Sequence, residues 1–394
     1  MNEVKIALVG TGGYGDQYVR ALLQGGGDQP YKLVGTIEPY PDKSPNREAL
    51  VKSGIPNYST LEQFFAESAA DLTIVSSPIQ FHCVQTCLAL AHGSHVLCEK
   101  PLSATVEEAL RMIESRDKAG KFVAIGFQSC YSKGIQDLKQ DVIAGLFGKP
   151  KLLRTIVLWP RTDAYYARGW AGKKSDGNGN IILDSVANNA TAHYIHNMFY
   201  ILGHKLDQSA LPSLVTAELY RANRIENYDT AAMRVFTEHG VELLYYGSHA
   251  VNEVVGANFS YEFEKADIRF DNDQDNIIAS FHDGREKRYA NPNSGNDKLW
   301  SIIAGVGDGD AKRISCGIEA AMSHTLCINA MQSAGEIENF PEYLVRRGEP
   351  IWNGQTGNYV VGLVDQLKAC YDQAILPAEA GLAWAKAAKG VRLG

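Results

Sequence analysis

The sequence predicts an α/β fold in two parts: an N-terminal doubly wound parallel sheet, then a C-terminal α+β domain on an open, mostly antiparallel sheet. Three observations carry this. The apolar run Val4–Val9 leads directly into Gly10-Thr11-Gly12-Gly13-Tyr14-Gly15, which reads as strand, glycine turn and helix start. Strand and helix patterns alternate over the first 130 residues, as parallel strands with crossover helices require. Beyond that point strand patterns succeed one another with only short turns between them. The domains are therefore set at 1–130 and 131–394.

In the first domain, strands are expected at Val4–Val9, Lys32–Ile37, Leu72–Val75, His95–Cys98 and Phe122–Phe127. Helices are expected at Tyr14–Leu23, Asn46–Ser53, Thr60–Ser68, Phe81–Ala91 and Thr105–Lys118. Thr105 with Glu108 forms a capping box, in which each side chain takes a free backbone N–H of the first turn. In the second domain a helix, Ile135–Leu146, precedes a long strand, Leu152–Leu158, and another helix spans Ala190–Leu202. Strands then follow at Leu214–Arg221, Ala231–Thr237, Glu242–Gly247, Phe259–Phe270 and Ile277–Phe281. His239-Gly240 and Asp283-Gly284 are turn sites. Helices return at Ala311–Ala334 and Val360–Ala374. So few helices leave a sheet face to be covered. A homo-oligomer, dimer or tetramer, is expected to form through it.

The glycine turn suits a dinucleotide. Gly10 turns the chain off the strand, Gly12 lets the backbone approach a pyrophosphate, and Gly15 allows the helix to pack closely. Gly13, Tyr14 and the helix N-terminus complete the cradle, where free N–H groups favour negative charge. Glu38 closes the second strand. A carboxylate there accepts from ribose hydroxyls and repels a 2′-phosphate, and the following Pro39-Tyr40 supplies no arginine. The cofactor read from these residues is NAD rather than NADP.

Composition narrows the rest. A net charge of −7 gives no footprint for nucleic acid. The apolar runs are too short to span a bilayer, so no membrane partner is expected. The first strand starts at Val4, which leaves no room for a signal peptide. The seven cysteines are scattered with no C-x-x-C pair and read as reduced thiols, so a cytoplasmic location is expected.

A second signal, Cys98-Glu99-Lys100-Pro101, ends a strand and puts a lysine at the sheet edge where ligands bind. Ser76-Ser77-Pro78 ends another strand and is expected beside the nicotinamide ribose. With Gly10–Gly15, Ser77-Pro78, His82, Glu99-Lys100-Pro101, Gly126-Phe127-Gln128 and a helix carrying His193, most of the chain resembles one superfamily. It comprises glucose–fructose oxidoreductase, inositol dehydrogenase and rhizopine-catabolism proteins (Gfo/Idh/MocA). The resemblance implies an NAD(P) Rossmann domain followed by an open-sheet domain. It also implies oxidation of a ring hydroxyl of a sugar or cyclitol, or reduction of the ketone. It places the cofactor against Gly10, Gly12, Gly13, Tyr14, Gly15, Glu38, Ser77, Pro78, His82, Glu99 and Gln128, and it makes Lys100 catalytic. The family's second motif runs Asp, Gly, His-x-x-Asp. Counting from Gly203 puts His193 on its histidine and His196 on its second acid. Asp184 lies nine residues before His193 rather than four, so residues 184–190 read as a local insertion.

Oxidising a secondary alcohol sends a hydride to the nicotinamide and a proton to a base. His193 suits that role because an unperturbed imidazole titrates near neutral pH. Lys100 can hold the developing alkoxide and share the proton. Trp159, Arg161, Asp163, Tyr165, Tyr166, Arg168 and Trp170 give the loop after the long strand the flat faces and hydrogen-bonding groups of a sugar site. The expected substrate contacts are Lys100, Arg161, Tyr166, Trp170, Asp184, Asn189, His193 and His196. Asn189 reads equally as a helix cap. His193 with His196, and His92 with His95 and Cys98, have ligand-like spacing, yet hydride transfer needs no metal and none is expected. Two other functions fit the same residues. One is a redox-neutral NAD-dependent glycosidase that oxidises a ring carbon transiently. The other is a sugar- and NAD-sensing regulator, which has no need of an acid–base pair.

Overall fold

The computed structural model describes residues 3–293, 295–348 and 355–393. The chain divides into two compact units. Met1–Ser132 with Asn293–Met322 makes the first, and Lys133–Pro292 with Ser323–Gly394 the second.

The first unit holds strands β1 (Val4–Val9), β2 (Tyr31–Ile37), β3 (Asn57–Tyr58), β4 (Leu72–Val75), β5 (His95–Cys98) and β6 (Val123–Ile125). Helices α1 (Gly15–Gln24), α2 (Arg47–Lys52), α3 (Leu61–Glu67), α4 (His82–Ala91) and α5 (Val106–Ala119) connect them. The sheet order is β3-β2-β1-β4-β5-β6, and every pair is parallel. All four residues of β4 are buried, as a strand covered on both faces requires. Strand order reverses between β1 and β4, so the crevice beyond their C-terminal ends is where such sheets bind ligands. The capping box at Thr105 and Glu108 forms as the spacing predicts.

The second unit begins with α6 (Lys133–Ile143), β7 (Pro150–Leu158), the short α7 (Asp163–Tyr166) and α8 (Ala192–Ile201). Strands β8 (Pro212–Arg221), β9 (Thr230–Thr237), β10 (Glu242–Ser248), β11 (Val255–Phe263), β12 (Ala266–Phe270), β13 (Ile277–Phe281) and β14 (Glu286–Tyr289) follow. They form one ten-stranded mixed sheet with later strands, in the order β14-β13-β12-β11-β7-β10-β9-β8. The β7–β10 pair is parallel and the other neighbours along that path are antiparallel. The single strand expected over Phe259–Phe270 is two strands of a hairpin, turning at Glu264-Lys265. The buried apolar positions change phase there, from Phe259, Tyr261 and Phe263 to Ala266, Ile268 and Phe270, and the doubled Glu264-Lys265 is the signal that marks the turn. Charged β14 also escaped the pattern, since Tyr289 is its one buried residue.

The boundary at 130/131 assigns residues 293–322 to the second domain; in the structure they pack with the first. They contain α9 (Asp297–Asp308), a helix not expected from sequence because two glycines, Gly305 and Gly307, interrupt its apolar pattern. The expected helix Ala311–Ala334 splits into a 3-10 turn at Ala311–Arg313 and α10 (Ile318–Ser333). Between them Ile125 N–H donates to the Cys316 carbonyl at 2.8 Å, which ties the segment to β6.

Strand β15 (Glu338–Asn339), the hairpin β16 (Val345–Arg347) and β17 (Asn358–Val360), α11 (Leu363–Gln373) and β18 (Gly390–Arg392) complete the second unit. Leu363, Leu367 and Cys370 of α11, with Trp384, pack on Ile156, Leu158, Tyr220, Leu244 and Tyr246. The oligomer expectation rested on a sheet face without helices; over these strands the cover comes from the same chain. No helix among the described residues is long and apolar enough to cross a membrane.

Leu367 is fully buried in this layer. Leu367→Ala is expected to destabilise the protein by about 2–5 kcal/mol, measured by urea unfolding. A change below about 1 kcal/mol would show that α11 is not part of the core.

Candidate active site

Gly10 takes φ +82°, and a Cβ there would lie 2.6 Å from the Ser76 carbonyl oxygen. The turn after β1 therefore packs against the end of β4. At Gly15 a Cβ would strike the Gly10 carbonyl at 2.1 Å, so this glycine lets the turn close on itself rather than on the sheet. On the opposite side, a Cβ at Gly12 or Gly13 meets nothing within 4 Å. Helix α1 begins there with no side-chain cap. Gly15 N–H donates to the Gly12 carbonyl at 2.9 Å and Gln17 N–H to the Tyr14 carbonyl at 3.0 Å, so the turn offers a pyrophosphate its bare backbone at Gly12 and Gly13 and the positive end of the helix.

Glu38 arches back over this turn. Its Oε2 accepts from Thr11 N–H at 3.2 Å, and its Oε1 accepts from Tyr40 N–H at 3.0 Å. These contacts fix the carboxylate beside the glycine turn, where an adenosine ribose would sit. The residues present fit NAD.

Glu99 is buried and fully engaged. Its Oε1 accepts from Tyr18 Oη at 2.5 Å and from the Lys298 ammonium, and its Oε2 accepts from Lys100 N–H at 3.1 Å. Burial pushes the Glu99 carboxyl upward, but the Lys298 charge and the hydrogen bonds outweigh it and hold the group below its ordinary value. Lys298, on α9, is 1% exposed; it also donates to the Gly126 carbonyl at 3.2 Å and lies 4.4 Å from the Tyr14 ring centroid. Tyr14 donates in turn to Gln128 Oε1 at 3.0 Å. Glu99 therefore positions the Lys100 backbone and does not present its own oxygens to a ligand. Lys100 is half-buried, two residues past β5.

His82 is also buried. Its Nδ1 faces the Pro101 carbonyl at 2.8 Å and its Nε2 the Ser77 carbonyl at 3.0 Å. Burial outweighs the hydrogen bonds to both carbonyls and lowers its pKa. The ring bridges the Ser77-Pro78 segment to the residue after Lys100, and any influence on a cofactor passes through those backbones. Ser77 Oγ donates to Gln85 at 2.6 Å.

In the second unit, His193 is half-buried in the first turn of α8, while His196 is 1% exposed and stacks on Tyr200 at 5.9 Å. A three-residue step leaves the two histidines a turn apart, with His196 inside the core. Asp184 is buried, accepting from Gly172 N–H at 2.6 Å and from Asn189 Nδ2 at 2.8 Å. Asn189 thus braces Asp184 and does not cap α8, whose N-cap is Thr191. Tyr165 is the hub of the aromatic loop. Arg161 and Arg168 lie 5.1 and 5.0 Å from its ring, with Tyr166 and Trp170 edge-on at 5.2 and 6.3 Å. Arg161 also donates to the Pro160 carbonyl at 3.1 Å. Beneath them His249, which the sequence did not single out, holds the Trp159 carbonyl at 2.8 Å. Burial and the Arg161 charge lower its pKa to about 3, so it stays neutral.

A parallel Rossmann sheet whose glycine turn lies beside the Glu38 carboxylate, with an anchored Glu-Lys-Pro segment, fits an NAD-binding oxidoreductase. Residues 4–127 match the model of the oxidoreductase family with an NAD-binding Rossmann fold, Gfo/Idh/MocA. Residues 4–127 therefore carry the NAD-binding domain of that family. It is 22% identical over 268 residues to the 1,5-anhydro-D-fructose reductase of Ensifer adhaerens, covering 63% of this chain and 79% of that protein. It is 29% identical over 153 residues to the inositol 2-dehydrogenase of Burkholderia cenocepacia (strain HI2424), covering 38% of this chain but only 44% of the relative. The fold is that of the WlbA dehydrogenase from Bordetella pertussis, solved with NADH and UDP-GlcNAcA: TM-score 0.68, 21% identity, 84% of this chain and 96% of that one.

Lys298 was missed because its helix was missed. The signal was there in Asn296-Asp297 followed by Leu299, Ile302, Ile303 and Val306 at helical spacing. Lys298→Met leaves Glu99 buried without its cation and is expected to cost about 3–5 kcal/mol at neutral pH. In the wild type the depressed Glu99 pKa contributes stability above its unfolded value, and that contribution is lost as pH falls through the folded value. The gap between variant and wild type should therefore narrow as pH falls below the ordinary carboxylate value of about 4.5 in urea unfolding. A gap independent of pH would refute the pairing.

Proposed function

We propose that this chain is an NAD-dependent oxidoreductase that moves a hydride between nicotinamide and a ring hydroxyl or ketone of a sugar, sugar derivative or cyclitol. One observation carries the reading: Lys100 lies two residues past β5 with its backbone held by a buried, ion-paired Glu99, in the same unit as a glycine turn and Glu38 that fit NAD. The named activities of the reductase and dehydrogenase relatives support the substrate class.

Bound NAD supplies the hydride acceptor. Glu38 receives the ribose hydroxyls, and the bare backbone at Gly12 and Gly13, with the positive end of α1, faces the pyrophosphate. Lys100 donates to the substrate oxygen and stabilises it as its proton leaves. His193 accepts that proton on a ring nitrogen and returns it in the reverse direction. Arg161, Tyr166 and Trp170 orient the sugar ring, while Asp184 and Asn189 hold the segment that leads into α8.

The deciding experiment is a screen of pyranoses, uronates, cyclitols and glycosides with free NAD. Stoichiometric NADH formation supports the dehydrogenase, whereas glycoside cleavage with NAD retained would establish the redox-neutral alternative. Lys100→Ala and His193→Asn are each expected to lower turnover by about 10²–10⁴ while NAD still binds. Activity above about a tenth of wild type in either would remove that residue from the proton path. His196→Asn separates the histidines: it should alter stability more than the pH profile of turnover.

Fluorescence titration should show tighter binding of NAD than NADP. Glu38→Ala should narrow the difference by removing both the ribose hydrogen bonds and the repulsion of a 2′-phosphate. Preference of the wild type for NADP would overturn the role of Glu38.

A further inference from the structure

The second unit contains a cavity of about 840 Å³. It lies between the chain after α7, at Gly172 and Lys173, and the β8–β9 turn, from Arg221 to Glu226. Its size suits a small-molecule ligand, for which about 300–1,000 Å³ is usual. Both walls are fixed in advance. Buried Asp229 accepts from Asn223 N–H at 2.9 Å and from Asn223 Nδ2 at 2.8 Å, which holds the turn. Asp184 holds the other wall through Gly172 N–H. Gly172 has φ +70°, and a Cβ there would lie 2.8 Å from Ile225, so a larger residue would force the walls apart.

The charge in this cavity is unbalanced. Half-buried Arg221 donates Nε–H to Asn339 Oδ1 at 2.7 Å, and Nη1 to the carbonyls of Ile225 and Glu226 at 3.0 Å each. All three acceptors are neutral, and its Nη2 makes no hydrogen bond among the described residues. The half-buried Lys173 ammonium and the exposed Arg224 guanidinium have neither a hydrogen bond nor an ion pair among the described residues. Arg347 also lines the cavity but is paired with Asp163. Two carboxylates line it as well. Glu226 is exposed and accepts from Lys174 N–H at 3.0 Å, and Glu342 is exposed. Exposed carboxylates are screened by water, whereas a half-buried guanidinium with free N–H donors favours an oxyanion.

Tyr166 also lines this cavity, so it adjoins the aromatic loop assigned above to the sugar. Asp184 joins its Gly172 wall to Asn189, just before the helix that carries His193. We infer that the cavity receives an anionic group, a carboxylate or a phosphate, carried by the sugar substrate. This rests on the function proposed above and narrows its substrate class to acidic sugars or sugar phosphates.

The test is calorimetric titration of the full chain loaded with NAD, using glucose, glucuronate, glucose 6-phosphate and inorganic phosphate. At least one anionic sugar is expected to bind about ten-fold or more tightly than glucose, with the advantage shrinking as salt rises. Glucuronate as the tighter ligand identifies a carboxylate, and glucose 6-phosphate a phosphate. The double variant Lys173→Gln/Arg224→Gln should cut the advantage to about two-fold or less, while Lys174→Gln, an exposed neighbour outside the lining, should keep it. Thermal unfolding of each variant checks that the fold is retained. Equal binding of the three sugars, binding of none, an advantage that survives the double variant, or inorganic phosphate binding as tightly as glucose 6-phosphate would each overturn the assignment. Binding is read without turnover. A protein that prefers acidic sugars but never reduces NAD would instead overturn the proposed reaction.

Discussion

The buried contact between Glu99 and Lys298 is the constraint on which the N-terminal unit depends. Two ions removed from water cost several kcal/mol each, and their attraction repays this only when the remaining donors and acceptors are also satisfied. Here they are: Tyr18 and the Lys100 N–H complete the carboxylate, while the Gly126 carbonyl and the Tyr14 face complete the ammonium. One interaction therefore ties together the end of β5, the residue after β6, the helix of the glycine turn and a segment 199 residues downstream. The lysine assigned to proton transfer is the next residue in the chain. Its backbone is held by this network through the Glu99 carboxylate.

The second unit uses the same device with different groups. Asp184 and Asp229 are buried carboxylates whose oxygens are occupied by backbone and amide N–H groups. Each fixes a loop that the sheet alone leaves undirected. Arg161, Arg168, Tyr166 and Trp170 surround Tyr165, and neutral His249 fills the space below. The polar segments that carry recognition chemistry are thus held by buried hydrogen bonds, while α11 and Trp384 close the sheet on its other face with apolar packing.

Much of this was legible one residue at a time. The glycine turn, the acid at Glu38 and the Thr105 capping box depend on contacts close in sequence or on strand ends that periodicity reveals. Other features were not legible. The hairpin within Phe259–Phe270 is marked only by a one-residue change of phase at Glu264-Lys265, and whether such a break is a bulge or a turn is decided by the pairing of β11 with β12. The pattern of α9 is broken by glycines that allow close packing, as at Gly307 against Gln29. Asn189, His82 and Glu99 were chemically apt for ligand contacts, yet each is engaged by internal partners that composition and spacing do not disclose.

The sequence by itself determined the parallel first sheet, the place of the dinucleotide turn and the position of Lys100 at a strand end. These follow from local periodicity, from the steric demands of glycine and from the rule that crossover helices bury a parallel sheet. Only the tertiary structure decided which polar groups remain available to a ligand. It returned residues 293–322 to the first unit, buried His196 against Tyr200, gave Glu99 a lysine as partner and left Arg221 without a carboxylate partner among the described residues. Each of these outcomes depends on pairing groups far apart in the chain, where the cost of burying an unsatisfied charge, rather than local propensity, selects the arrangement.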